Sequence, residues 1–482
     1  MDSDDLAFAS ATYLASGIRA GRISPREVVD ALLNRIDAIN PTVNAFCTVA
    51  GEQARRDAES AEAAVSAGDP LGALHGVPVS IKDVVFTKGV RTTRGSAIYA
   101  DLIPDQDAPL VERLKRAGAI VFGKTNTPEF GWKAVTDNLL FGQTPNPWDL
   151  DRTAGGSSGG SAAALAAGLG PLSIGTDGAG SIRIPASFCG VVGLKPSFGR
   201  VPFYPFSAAE SVAHAGPMAR TVADTALLLS VIAGPDVRDP NTLPDTDEDF
   251  AAAATGESKG LRVAWSEDLG FARVDPEVRD RFVSAVHRFA DDLGCHVEEA
   301  SPGFADPYEA LERIFHGGIA ASLVDYLPEW RDRIDPGLIG VFDRVGTLSA
   351  FDLARAGFAR RAVWEQSRAF FERFDILLTP TMPIPAFTLG TDSPLDASGE
   401  PTRILAWTPF TYPWNLTGHP AISVPCGFTD AGLPVGLQIV GRRWDDLTVL
   451  QAAAAYEHVA LWQDRRPVYR YDQARTTDSA LL

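Results

Sequence analysis

Apolar positions along this chain recur with two periods. Val28, Val29, Leu32, Leu33, Ile36 and Ile39 fall on one stripe of a 3.6-residue repeat, which predicts an amphipathic helix. Ser24-Pro25-Arg26-Glu27 just ahead of them reads as a capping box with proline at the first helical position. An Ala-rich run over 52–67 predicts a further helix, stopped by Gly68. The period then changes. Val77, Val79 and Ile81 alternate within 76–85 and predict a strand with Lys82 near its end. A helix is expected over 110–117, a short buried strand over 119–123, a small-residue helix over 162–167 and a buried strand over 172–174. Thr221 to Asp224 caps a helix running to Ile232. Later segments read as a strand (261–265), an amphipathic helix (278–293), a helical stretch (305–375) and a strand (376–380). Two more strands (421–425 and 436–440) and a closing helix (446–459) follow. Helix–glycine–strand alternation of this kind argues for an α/β sheet with parallel pairs.

The expected organisation is one catalytic domain over 1–482. It comprises a helical outer layer (1–70), a core (71–235), an acidic, Pro-containing surface loop (236–260) and a remainder (261–482) that completes the sheet and covers the pocket. Tyr308, Phe315, Tyr326, Trp330, Phe342, Phe351, Phe358, Trp364, Phe370 and Phe371 make 305–375 aromatic-rich, and collectively they suggest that cover. Trp407, Phe410, Tyr412 and Trp414 read as another pocket edge.

Composition narrows the function classes. The chain has 482 residues, 45% hydrophobic and 22% charged, enough to build a large core. Its net charge of −18, with scattered rather than clustered Lys and Arg, argues against a direct nucleic-acid surface. It also weighs mildly against anionic substrates. The acidic start, Met1-Asp2-Ser3-Asp4-Asp5, is no secretory signal, and no apolar run approaches the ~20 residues of a membrane span. Cys47, Cys189, Cys295 and Cys426 form no CxxC pair, which fits a reducing cytoplasm with neither disulfide nor zinc. No cofactor or metal is expected, and the oligomeric state is left open.

The densest chemistry lies in 154–196, AGGSSGGSAAALAAGLGPLSIGTDGAGSIRIPASFCGVVGLKP. Two glycine clusters, Gly155 to Gly160 and Gly175 to Gly180, mark places where the main chain itself is presented. Ser181, after a strand end and behind Gly178-Ala179-Gly180, could gather its own and neighbouring N–H groups at one point, as an oxyanion hole requires. A flexible linker is the common reading of a Gly/Ser run, but this one leads straight into a helix and a strand.

This stretch closely resembles the signature of the amidase signature family of serine hydrolases. Weaker resemblance extends through Gly76-Val77-Pro78-Val79-Ser80-Ile81-Lys82-Asp83, Gly123 to Phe130 and Pro434 to Gly441. The resemblance implies a large twisted mixed sheet covered on both faces by helices. It also implies a triad of Lys82, Ser157 (held by a cis peptide bond) and the nucleophile Ser181. Neutral Lys82 would draw a proton from Ser181 through Ser157, and main-chain N–H groups of Gly178, Ala179, Gly180 and Ser181 would hold the oxyanion. Such a lysine needs its pKa lowered by roughly three units, which burial provides. Asp177 and Arg183 are expected as a structural ion pair, and Ser158 as a residue orienting the loop. One departure stands out: Ala179 replaces a usual glycine, and its methyl is expected to trim the space beside the oxyanion.

The implied activity is hydrolysis of C–N bonds in small amides, aryl or bulky and hydrophobic, with esters and carbamates (urethanes) as further substrates. Within the family the alternative is the glutaminase component of a tRNA-dependent amidotransferase, whose SSNLARYDG-like segment is missing from 305–345. A non-catalytic scaffold of the same fold is a second alternative. The G-x-S-x-G of Gly155 to Gly159 also fits a nucleophile elbow, but it lacks the preceding strand. His419 is expected to be structural.

Overall fold

Eleven strands build one mixed sheet in the computed structural model, which describes residues 3–209, 211–254, 258–396 and 398–468. In chain order they are β1 (Phe46–Val49), β2 (Pro78–Lys82), β3 (Ile120–Thr125), β4 (Leu172–Asp177), β5 (Val192–Lys195) and β6 (His214–Ala219). The rest are β7 (Arg262–Trp265), β8 (His296–Glu299), β9 (Ile376–Pro380), β10 (Ala421–Phe428) and β11 (Pro434–Gly441). Their spatial order is β1-β3-β2-β4-β6-β5-β10-β11-β9-β7-β8. β2 runs parallel to both β3 and β4, and β7 runs parallel to β8 and β9. The remaining neighbours are antiparallel.

Burial follows position in the sheet. Every residue of β2, β3, β4, β6, β9 and β11 is buried, whereas the edge strands β1 and β8 are largely open. A strand covered on both faces has no polar side to reveal, which is why several inner strands read as plain apolar runs. The same sheet takes strands from before and after the 236–260 segment. Among the described residues no helix is long and apolar enough to cross a membrane.

The 154–196 stretch lies at the centre. Helix Gly159–Ala166 is buried at all eight positions, and Arg183–Cys189 at all seven. The first starts at Gly159 rather than at 162 because its small residues admit close neighbours; a Cβ on Gly160 would stand 2.4 Å from the main-chain N of Asn126. The second was not foreseen. Pro185 lies within its first turn, where proline costs no intrahelical hydrogen bond.

Three expectations change. Ser24 caps helix Pro25–Val43 by accepting from the Glu27 N–H, but its hydroxyl donates to Glu62, so the reciprocal half of the box is not made. Phe410, Tyr412 and Trp414 are fully buried in the core rather than at a pocket edge. They precede β10; Phe410 and Trp414 pack with Leu377, Ala421 and Val440 of the sheet, and Tyr412 with Trp132 and Phe188, positions their sequence spacing could not distinguish from a rim. Phe351 and Phe358, on helix Ala350–Arg373, are exposed at 70% and 73% and cover nothing in the chain.

Candidate active site

Lys82 ends β2, flanked by two parallel strands, and is wholly buried. Its Nζ lies 2.6 Å from Ser157 Oγ and 2.9 Å from Thr176 Oγ1, the latter on adjacent β4. Burial is the main influence on the amine; the Asp177 charge opposes it, and the pKa is lowered to about 7. None of the other buried lysines meets a serine hydroxyl among the described residues, and Lys133 is paired with Asp137, Asp335 and Asp392. Lys124 sits 3.6 Å from the Asp83 carboxylate, and Lys195 is held by main-chain oxygens of Pro196 and His419. Among the described residues Lys82 has no carboxylate in ion-pair contact.

Ser157 follows a cis Gly156–Ser157 peptide. A Cβ on Gly156 would lie 2.5 Å from the Val135 carbonyl oxygen, so only glycine fits there. Ser158 ties the loop down. Its N–H donates to the Ser181 carbonyl (3.1 Å), its hydroxyl donates to the Thr176 carbonyl (3.1 Å), and it accepts from the Thr176 N–H (3.3 Å). The Ser157 side and the Ser181 side of the site are thereby joined through backbone.

Asp177 and Arg183, both with no exposed side-chain surface, pair at 2.9 Å. Burial alone would raise the Asp177 pKa, but the Arg183 charge and hydrogen bonds override it and hold the carboxyl well below the usual range. Arg183 also donates to Thr411 O, Gln438 Oε1 and Asn415 Oδ1, which roots the turn in the core. The pair thus ties the turn to residues far along the chain.

The turn corrects the donor set. The Gly180 N–H donates to Asp177 Oδ1 at 2.7 Å, so it is spent on holding the turn. The N–H groups of Gly178, Ala179 and Ser181 make no hydrogen bond among the described residues. The glycine requirement also lies elsewhere than the Ala179 departure suggested. Gly180 takes φ 128°, and a Cβ there would meet Thr411 Oγ1 at 2.4 Å. Ala179 is not among the residues with positive φ, and its methyl is buried in the apolar cluster with Trp132, Phe188 and Tyr412. It does not line the cavity and trims nothing there.

That cavity is lined by Ser157, Thr176, Gly178 and Ser181 together with Phe86, Phe130, Phe203, Phe206, Phe315 and Ile319. Ser181 Oγ makes no hydrogen bond among the described residues, so Lys82–Ser157 is formed and the onward Ser157–Ser181 bond is not. Of the expected aromatic cover, Phe315 reaches the cavity, and it does so because Gly178 has no side chain: a Cβ there would lie 2.5 Å from the Phe315 ring. Thr176 contacts the lysine. The Phe130 and Phe203/Phe206 walls and Arg94 were not foreseen; only Phe130, inside one of the resembling segments, carried any signal. His419 is buried with Nδ1 on Thr417 Oγ1, apart from the cavity.

Fold and site together place a buried lysine, not a histidine, beside two serines that share one cavity. A family model described as Amidase matches residues 27–450, and the chain belongs to the amidase signature family. An "Acylamidase" of Rhodococcus erythropolis is 42% identical over 479 residues, covering 97% of this chain and 98% of the relative. A glutamyl-tRNA(Gln) amidotransferase chain of Roseiflexus sp. (strain RS-1) is 40% identical, covering 93% and 95%. Among solved structures, a bacterial aryl acylamidase of the same family superposes with a TM-score of 0.89 at 34% identity, covering 96% of this chain and 99% of that one. A 6-aminohexanoate cyclic dimer hydrolase gives 0.87 at 32%, with 96% and 99% covered.

Proposed function

We propose that this enzyme hydrolyses amides through an acyl-enzyme on Ser181, with Lys82 as the base and Ser157 as the relay. One observation carries the reading: a wholly buried lysine, 2.6 Å from Ser157 Oγ, with no ion-paired carboxylate and its pKa brought down to about 7. A neutral amine is the form that accepts a proton, and at neutral pH this site keeps a large share of it. Ser157 passes its proton to Lys82 and takes one from Ser181 as Ser181 Oγ attacks the amide carbon. The tetrahedral oxyanion is met by the N–H groups of Gly178, Ala179 and Ser181, which the turn leaves unspent. As the C–N bond breaks, the same path returns the proton to the departing nitrogen. Water then attacks the acyl-Ser181 carbonyl along the reverse route, releasing the acid and restoring the serine.

The phenylalanine-walled cavity supports aryl or bulky hydrophobic groups beside the scissile bond. Esters and carbamates fall within the same chemistry, because both present a carbonyl carbon to the same nucleophile. The amidotransferase relatives favour a second reading, glutamine hydrolysis within an amidotransferase, against which the apolar walls stand. A fluorophosphonate probe followed by peptide mass analysis tests the assignment. The expected result is one adduct, on the peptide containing Ser181, and no adduct or anilide turnover in Ser181→Ala. Full turnover in that variant, or an adduct elsewhere, sinks the proposal; faster release of ammonia from glutamine than of aniline from an anilide favours the second reading.

A further inference from the structure

One cation in the cavity wall has no anion of its own. Arg94 sits in the turn after β2 with φ 56°, and its side chain lines the cavity that contains Ser157 and Ser181. Its guanidinium carbon stands 5.2 Å from the centre of the Phe130 ring and 5.5 Å from that of Tyr99. Its Nε is buried without a hydrogen-bond partner. Among the described residues no carboxylate comes within ion-pair distance, although the chain carries 61 Asp and Glu against 43 Lys and Arg. The acids nearest in sequence are engaged elsewhere. Asp83 binds Thr93 and faces Lys124, and Glu129 accepts from Ser96 and the Asp335 N–H. Asp177, the one other charged residue lining the cavity, is already neutralised by Arg183.

Two rings and the Tyr99 hydroxyl compensate the Arg94 guanidinium only in part, and a cation partly withdrawn from water without an anion is costly. Such an arrangement persists where the missing charge arrives with a ligand. A planar fork of donors against aromatic rings matches a carboxylate, which it can bind through two parallel hydrogen bonds. The phenylalanines that line the same cavity as Arg94 and the serines match an apolar body.

We infer that Arg94 is a specificity residue that binds a carboxylate carried by the substrate, so that the preferred amides join an apolar body to a free acid group. This rests on the reading of Ser181 as the nucleophile, and it reverses the weak expectation, drawn from net charge, that anionic substrates are disfavoured.

Two matched pairs test it, one with the acid on the acyl side and one with it on the amine side. The first pair is adipic acid mono-4-nitroanilide and hexanoyl-4-nitroanilide; the second is N-benzoyl-4-aminobenzoate and N-benzoyl-4-toluidide. In the unmodified enzyme the acid member of one pair is expected to show about 10-fold higher kcat/KM than its neutral partner. In Arg94→Gln the acid-to-neutral ratio should fall by about 100-fold, and Arg94→Lys should fall between. Adipate should also inhibit the unmodified enzyme competitively, a measurement that does not depend on the variants folding. A preference for the neutral member in both pairs, or a ratio unmoved by Arg94→Gln, overturns the inference while Ser181-dependent turnover stands. Loss of all Ser181-dependent turnover in the unmodified enzyme defeats both readings.

Discussion

Replacing Lys82 by methionine should make the protein more stable near neutral pH while removing its amidase activity. Met keeps the length and apolar stem of lysine but has no amine to titrate. In the folded protein Lys82 holds its proton only below about 7, against an ordinary value of 10.5. Between those two values the unfolded chain carries a proton on residue 82 that the folded chain has given up, so wild-type stability rises with pH across that window. Below about 7 both states are protonated and the burden is greatest, roughly 5 kcal/mol by that displacement. Above 10.5 it vanishes. Against it stand two lost hydrogen bonds, to Ser157 and Thr176, worth about 1 kcal/mol each. Lys82→Met is therefore expected to be more stable than wild type at pH 7.5, by roughly 2–3 kcal/mol, and to lose that advantage steadily as pH rises. Urea denaturation of both proteins at pH 7.5, 8.5 and 9.5 measures it. The stability gap should close by about 2–3 kcal/mol over that range, with unchanged m-values. Other groups titrate in both proteins alike and drop out of the difference. A gap that stays constant with pH would falsify the claim that this lysine is neutral in the folded state.

Lys82→Ala should lower the hydrolysis of an anilide far more than that of the matching phenyl ester, since an amine leaves only with a proton whereas a phenolate does not need one; equal losses count against proton return through this path. In wild type, kcat/KM for amides should climb about 10-fold per pH unit below pH 7 and level off above it, because the base works in its neutral form; a profile flat from pH 5 to 8 would contradict this. Gly180→Ala puts a methyl 2.4 Å from Thr411 Oγ1 at φ 128°, and should destabilise the fold by about 3 kcal/mol or more in a urea melt; Thr411→Ser, which keeps the hydroxyl, should not restore it. Asp177→Asn leaves Arg183 buried with its carboxylate partner gone, at a cost of about 3–5 kcal/mol. It should abolish activity through loss of the turn, with the thermal midpoint falling in parallel; a stable and active Asp177→Asn would show that the pair does not set the turn.

Much of this enzyme could be read from its residues in order. Periodicity marked helices such as Pro25–Val43 and Pro276–Asp291, whose apolar stripes repeat regularly, and a plain apolar run marked the strand Ile376–Pro380, buried at every position. The glycine-bracketed serines were legible for a different reason: where a Cβ would stand within about 2.5 Å of a neighbouring main chain, as at Gly156 and Gly160, glycine is the only choice, and the clustering shows.

What the tertiary structure alone decided concerns partners brought from far along the chain. No local pattern tells that Gly180 gives its N–H to Asp177 while its neighbours keep theirs, since that depends on Arg183 being anchored by Asn415 and Gln438, more than 200 residues away. Nor does spacing show that Phe410, Tyr412 and Trp414 go into the core while Phe130, Phe203 and Phe315 form the cavity wall; an aromatic ring is equally at home in both. Lys82 and Arg94 make the point most directly. A lysine and an arginine in sequence are two ordinary cations. Only what is folded around them separates the two: burial strips water from the Lys82 amine and lowers its pKa, while Arg94 comes to line the cavity with no carboxylate in ion-pair contact among the described residues.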